Sequence, residues 1–220
     1  MRNLIAVLTI LISTPAFGQN HFMGLKGGIS WTNVNSANFH DNNDNWTGFN
    51  GGLTYEYHMN KKFNLGMDFL YFQKGFTNDI VFLDEFGNPT GKKVTSEFNY
   101  DYLSFPIKGG FVIGDKISGF INLGLVPSVL IDAKTIQPAI EGIMDKTTYD
   151  VTDEVTDYDL GGMIEIGGNY KFKDRVLLFA SFAYQHSFAS ITNENYFSNG
   201  KARHYGMTLS IGLKYALKEE

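Results

Sequence analysis

From Tyr205 to Tyr215 the chain alternates with a strict period of two: Tyr205, Met207, Leu209, Ile211, Leu213 and Tyr215 fall on one parity, Gly206, Thr208, Ser210, Gly212 and Lys214 on the other. Successive side chains of an extended strand point to opposite faces, so this segment predicts a strand with one apolar face and an aromatic at each end of it. The pattern recurs. Phe49, Leu53, Tyr55, Tyr57 and Met59 oppose Gly48, Asn50, Gly52, Thr54, Glu56 and His58. Phe63, Leu65, Met67, Phe69 and Tyr71 oppose Asn64, Gly66, Asp68 and Lys74, with Leu70 and Phe72 interrupting the polar side. Met23, Leu25, Ile29 and Trp31 oppose Gly24, Lys26, Gly28 and Ser30; Tyr158, Leu160, Ile164, Ile166 and Tyr170 oppose Asp157, Asp159, Gly161, Glu165 and Asn169. Each run is about 9 to 12 residues, the length a tilted strand needs to cross a bilayer.

Three further segments are less regular. Ile117 to Ile131 alternates but carries Phe120, Val126 and Leu130 on its second face, and Val176 to His186 is apolar on both. In Phe98 to Phe111 the apolar parity changes between Tyr102 and Leu103, and Pro106 cannot donate to a ladder, which predicts a bulge near Tyr102 and Leu103. Together these make eight strands, an even number as single-chain bacterial barrels have. The connections also sort by length. Those near His58 to Lys62, Gly114 to Lys116 and Lys171 to Arg175 are short, whereas Thr32 to Trp46, Phe76 to Glu97, Ala133 to Thr156 and Ser187 to Ala202 are long and polar. The expected fold is all-β: an eight-stranded antiparallel transmembrane barrel with an up-and-down meander, short periplasmic turns and long extracellular loops.

A soluble barrel shares the period of two, so the content of the polar face decides between them. That face is mostly Gly, Ser, Thr and Asn, with charges of both signs at Lys26, Glu56, Asp68, Lys108, Glu165 and Lys214. A water-facing exterior would carry far more Lys and Glu, whereas an eight-stranded lumen is just wide enough to be filled by side chains and requires its charges to be paired. These six residues are therefore expected to form an interior structural network. Trp31, Tyr55, Tyr57, Tyr71, Tyr158, Tyr170, Tyr205 and Tyr215 flank the apolar runs as an aromatic girdle would at the two interfaces. At the start of the chain, Met1-Arg2-Asn3 is basic, Leu4 to Ile12 is apolar, and Ala16-Phe17-Gly18 reads as a cleavage site. Residues 1–18 are read as a cleavable signal peptide and 19–220 as the barrel domain, located in the bacterial outer membrane.

Several segments resemble the PorT-type outer-membrane β-barrel proteins, small barrels of the porin family. They are Gly24-Leu25-Lys26-Gly27-Gly28, Tyr102-Leu103-Ser104-Phe105-Pro106-Ile107-Lys108, Gly124-Leu125-Val126-Pro127 and Tyr158-Asp159-Leu160-Gly161-Gly162. The resemblance implies the location and fold given above, and a role beside secretion or envelope-assembly machinery.

Signs of chemistry are few. Cysteine is absent, which removes thiolate metal sites, disulfides and a cysteine nucleophile. A net charge of -5 without basic clusters argues against nucleic acid. Gly87-Asn88-Pro89-Thr90-Gly91-Lys92 is one residue short of a phosphate loop and reads as a turn. Asp41-Asn42-Asn43-Asp44-Asn45 lacks the glycine and glutamate of a calcium loop, and His21, His40, His58, His186 and His204 form no ligand pair. The sequence thus predicts no catalytic residue, no cofactor and no metal. The expected partners are outer-membrane lipid and, through the loops, envelope or secretion proteins. The leading function is a structural, surface-interaction or assembly role; a narrow solute or ion channel is the alternative, and an outer-membrane hydrolase is a third class that lacks a Ser, His and Asp grouping.

Overall fold

A computed structural model describes residues 20–36, 43–83, 85–140, 145–173, 175–192 and 201–217. The segment read as a signal peptide lies outside them, as do His40 and the first two positions of the Asp41 to Asn45 run. Ten strands form one antiparallel sheet: β1 (Asn20–Ser36), β2 (Asn43–His58), β3 (Phe63–Leu83), β4 (Pro89–Ser104), β5 (Ile107–Gly114), β6 (Ile117–Gln137), β7 (Thr147–Asp150), β8 (Tyr158–Lys173), β9 (Val176–Ser187) and β10 (Ala202–Ala216). Neighbouring strands pair in chain order, and β1 pairs with β10, so the sheet closes on itself. Since β4 and β5 follow one another between β3 and β6, they make a single broken stave. The barrel therefore has eight staves, with β7 attached to β6 outside the ring.

Burial runs opposite to that of a water-soluble barrel. Leu25, Leu53, Phe69, Ile121, Ile166 and Leu209 lie on the outside, while Lys26, Thr54, Asp68, Asn122, Glu165 and Ser210 are buried inside. The register keeps like with like: Leu25 opposes Leu53 and Leu213, and Lys26 opposes Gly52 and Gly212. Closure satisfies every stave on both edges, which hydrocarbon demands because it offers no competing hydrogen bonds.

The strands run farther than the hydrophobic pattern indicates, with β3 and β6 each reaching 21 residues. The apolar alternation marks only the lipid-covered part. Above it, polar and β-branched residues continue the ladder in water, as in Asp79 opposite Thr95 and Ile80 opposite Val94. Much of the Phe76 to Glu97 connection is accordingly a projecting hairpin, turned at Gly87, with Gly91 at the register irregularity at the start of β4; their φ of 80° and 75° are values that glycine adopts without strain. Of the Gly87 to Lys92 run, Gly87 and Asn88 belong to the connection, whereas Pro89 to Lys92 open β4.

An irregularity does lie beside Tyr102, as expected, but the partner strand carries it. Tyr100, Tyr102, Ser104 and Lys108 are all inward, so β4 and β5 keep one alternation throughout. The register shift lies between Asp101 and Tyr102, and the extra residue is Ile131 on the partner strand β6. At this level the inward residues Tyr100 and Tyr102 are aromatic and the outward Asn99 and Asp101 are polar, whereas from Leu103 onward the outward face is apolar, which is why the sequence suggested a change of phase. The stave breaks instead at Phe105 and Pro106, where the Phe105 N–H donates to the Pro127 carbonyl at 2.8 Å and the Asp68 N–H to the Pro106 carbonyl at 2.9 Å.

Candidate functional site: the barrel lumen

Long lysine side chains need space in a narrow lumen, and glycines supply it. Lys26 on β1 lies between Gly52 and Gly212, and Lys108 on β5 lies between Gly66 and Gly124. From these positions both ammonium groups reach the same two carboxylates. Lys26 Nζ donates to Glu165 Oε1 at 2.8 Å and approaches Asp68 Oδ2 at 3.5 Å; Lys108 Nζ donates to Asp68 Oδ2 at 2.9 Å and Glu165 Oε2 at 3.1 Å. The remaining acceptor capacity is used by Thr54, whose hydroxyl donates to Asp68 Oδ1 at 2.7 Å, and by Asn122, whose Nδ2 donates to Glu165 Oε2 at 2.9 Å. A closed four-charge ring thus crosses the middle of the barrel. Buried charges are stable only when paired and hydrogen-bonded to this degree.

Nearer the short turns, Lys214 pairs with Glu56, which also bonds to His58. The Lys214 ammonium sits 4.6 Å from the Phe179 ring centre and 5.4 Å from that of Phe120, so the aromatic side chains that interrupt the polar faces of β9 and β6 serve as cation-π partners. The six charges expected inside therefore come together in two groups.

A third charged group lies beyond the six residues expected inside. Lys74 donates to Asp159 Oδ2 at 2.7 Å, Ser187 donates to the same oxygen at 2.6 Å, and the ammonium lies 5.0 Å from the Tyr102 ring centre. Both charged residues occupy the polar parity of their strands, so the rule that found the other six also points to these. With them, the buried charges among the described residues are four lysines and four carboxylates, whose formal charges cancel. His204 lies beside this group, buried against Tyr100 and Tyr102, where its ring meets theirs edge-on with centroids at 5.0 and 6.0 Å.

Above Lys74 lies an apolar plug: Val34, Phe76, Tyr100, Tyr102, Ala133, Val155, Ile191 and Ala202 pack together, with Phe98 stacked on Phe76 at 4.5 Å. The loop between β6 and β8 is pinned over this plug. The Ala133 N–H donates to the Thr152 hydroxyl at 3.0 Å, and the Thr152 N–H to Asp150 Oδ1 at 3.0 Å, a bond that holds the Asp150 carboxyl below its ordinary range.

The girdle aromatics divide between the two ends. Tyr55, Tyr57, Tyr170 and Tyr215 lie toward the short turns, and Trp31, Tyr71, Tyr158 and Tyr205 toward the loops, all on the outward parity. His21 joins the first band through a 2.7 Å hydrogen bond with the Tyr55 hydroxyl. Among the described residues no group of three His, Asp or Glu side chains is arranged to hold a metal.

The model of the outer membrane protein beta-barrel domain family matches residues 17–193. A search of curated proteins finds no match. Among solved structures, the chain is similar to Neisserial surface protein A at 11% identity, covering 88% of this chain and 96% of that one, with a TM-score of 0.45. It is similar to Ail, the attachment invasion locus protein of Yersinia pestis, at 15% identity, with 88% and 98% covered and a TM-score of 0.42. For the outer membrane protein OprG of Pseudomonas aeruginosa the identity is 11%, the coverage 90% and 96%, and the TM-score 0.48. With the family model matching most of its length, the chain belongs to the outer membrane protein beta-barrel domain family and resides in the bacterial outer membrane.

Proposed function

We propose that this barrel is a non-conducting scaffold that presents its loop-end hairpins to other envelope or surface proteins. The observation that carries the reading is the filled lumen: a neutral set of eight paired charges beneath an apolar plug. A permeant ion would have to break the ring of Lys26, Asp68, Lys108 and Glu165, and eight-stranded barrels are filled by side chains whereas aqueous channels need more strands. The investment outside the membrane supports the same view. The β3–β4 hairpin, β7 and the pinned Thr152 turn extend the sheet beyond the lipid-covered band, where recognition residues concentrate.

Within that role we read the chain as PorT-type, on the strength of the Leu103 to Lys108 stretch and the Gly24 to Gly28 opening, with a place beside secretion or envelope-assembly machinery. We also read residues 1–18 as the signal peptide that takes it there. The reading is tested by reconstituting the barrel in planar bilayers and by crosslinking from the loop ends in native outer membranes. Absence of unitary conductance together with a reproducible crosslinked protein at the β3–β4 hairpin supports it. Stable ion-selective steps that respond to Glu165→Gln would replace it with the narrow-channel reading.

A further inference from the structure

The two ends of the barrel carry opposite charge. At the loop end, exposed or half-buried acids such as Asp79, Asp101, Asp132, Asp150, Asp153 and Asp157 dominate. The three short turns are basic: Lys61 and Lys62 join β2 to β3, Lys116 joins β5 to β6, and Lys171, Lys173 and Arg175 surround the β8–β9 turn. Against these six cations the same turns hold two carboxylates by sequence, Asp115 and Asp174. Among the described residues none of the five lysines enters an ion pair, whereas loop-end Asp79 and Asp132 are paired with Lys93 and Lys134.

Every basic turn also abuts apolar side chains that point outward. Met59 and Phe63 flank the first, Ile113 and Ile117 the second, and Tyr170 and Phe172 the third, all exposed. Side chains of this kind seat in hydrocarbon and at its boundary, which sets the neighbouring ammonium groups at headgroup depth.

We infer that the turn-end rim is a binding surface for anionic phospholipid headgroups of the periplasmic leaflet. It rests on the short turns being periplasmic. The chemistry is a monoanionic phosphodiester held by unpaired lysines on three turns around the ring, while its acyl chains lie against the apolar residues just below. The rim distinguishes headgroups by charge, so the preference is salt-sensitive. Since basic turns occur at all three hairpins, the preference belongs to the annular lipid as a whole, not to one cleft. The acidic loop end repels the same lipids, and the molecule is thereby oriented by headgroup charge across the membrane.

The test uses the refolded full barrel in vesicles of phosphatidylcholine and phosphatidylglycerol, with trace spin-labelled lipid of either type. The motionally restricted fraction of each label gives the relative association constant. The wild type is expected to prefer phosphatidylglycerol about fivefold, as expected for one lysine near the surface, and to lose the preference in about 1 M salt. Substituting the five turn lysines by Gln should bring the ratio to unity, whereas Lys93→Gln with Lys146→Gln at the loop end should leave it unchanged. Salt on the wild type alone carries the test if the fivefold variant does not refold. A ratio near one in the wild type, a preference that survives high salt, or one that loop-end substitutions remove overturns the inference. So does a rim whose lysines crosslink to a periplasmic protein in native membranes while showing no lipid preference.

Discussion

Glu165→Gln tests whether the lumen is held by charge balance. The substitution keeps the side-chain volume and removes one negative charge from a site where the carboxylate accepts from Lys26 at 2.8 Å, Lys108 at 3.1 Å and Asn122 at 2.9 Å. Both lysines then have only Asp68, at 3.5 and 2.9 Å, and one positive charge stays uncompensated in the middle of the barrel. Breaking a buried ion pair from one side costs about 3–5 kcal/mol, because the surviving charge has lost its partner without regaining water. Adding Lys26→Met removes the excess charge and leaves the Lys108–Asp68 pair intact. The double variant should therefore recover stability, with a coupling of about 2 kcal/mol between the two sites. Urea unfolding from lipid vesicles, followed through Trp31 and Trp46 and by the gel mobility of the folded barrel, measures both. A Glu165→Gln cost within about 1 kcal/mol of wild type, or strict additivity of the two substitutions, would refute the idea of a charge-balanced core.

Two further outcomes follow from the same geometry and a third from the sequence. Gly212→Ala should destabilise by about 1–3 kcal/mol through overpacking, since its Cβ would meet the Leu25 carbonyl oxygen at 2.3 Å and the Phe179 ring at 2.4 Å; equilibrium unfolding with an unchanged midpoint would contradict that contact. Chymotrypsin added to intact cells should cut after Phe86, which is 85% exposed at the tip of the β3–β4 hairpin, and trypsin should spare Lys61 and Lys62; the reverse pattern would invert the topology. N-terminal sequencing of the protein from outer membranes should begin at Gln19, and recovery of residues 1–18 would remove the signal-peptide reading.

Strand number, face assignment and location were legible in the sequence because lipid and a packed lumen impose opposite chemistries on alternate residues. Lys26, Glu56, Asp68, Lys108, Glu165 and Lys214 stood out as rare charges on an otherwise small and neutral face. Lys74 and Asp159 occupied the same face, yet the pairing across the lumen that joins β3 to β8 carries no local signal. The plug was harder to see. Tyr100 and Tyr102 are inward aromatics at a level where the outward Asn99 and Asp101 are polar, so hydrophobicity marks the opposite face from the one it marks within the bilayer. The projecting ends of β3 and β6 escaped notice for a related reason: in water neither face must be apolar, and period-two contrast disappears where the ladder leaves the bilayer.

The barrel turns Leu209 to lipid and Ser210 to a packed lumen, with exposures of 49% and 1%. The chain has no cysteine, so a single cysteine can be placed at either position. In the folded barrel in vesicles, a fluorescent maleimide at position 209 should be strongly quenched by lipids carrying a quencher on the acyl chain. Position 210, whose serine hydroxyl donates to Asn50 Oδ1 at 3.2 Å, should react with the same maleimide only after unfolding. Equal labelling and equal quenching at the two positions in the folded protein would contradict the account.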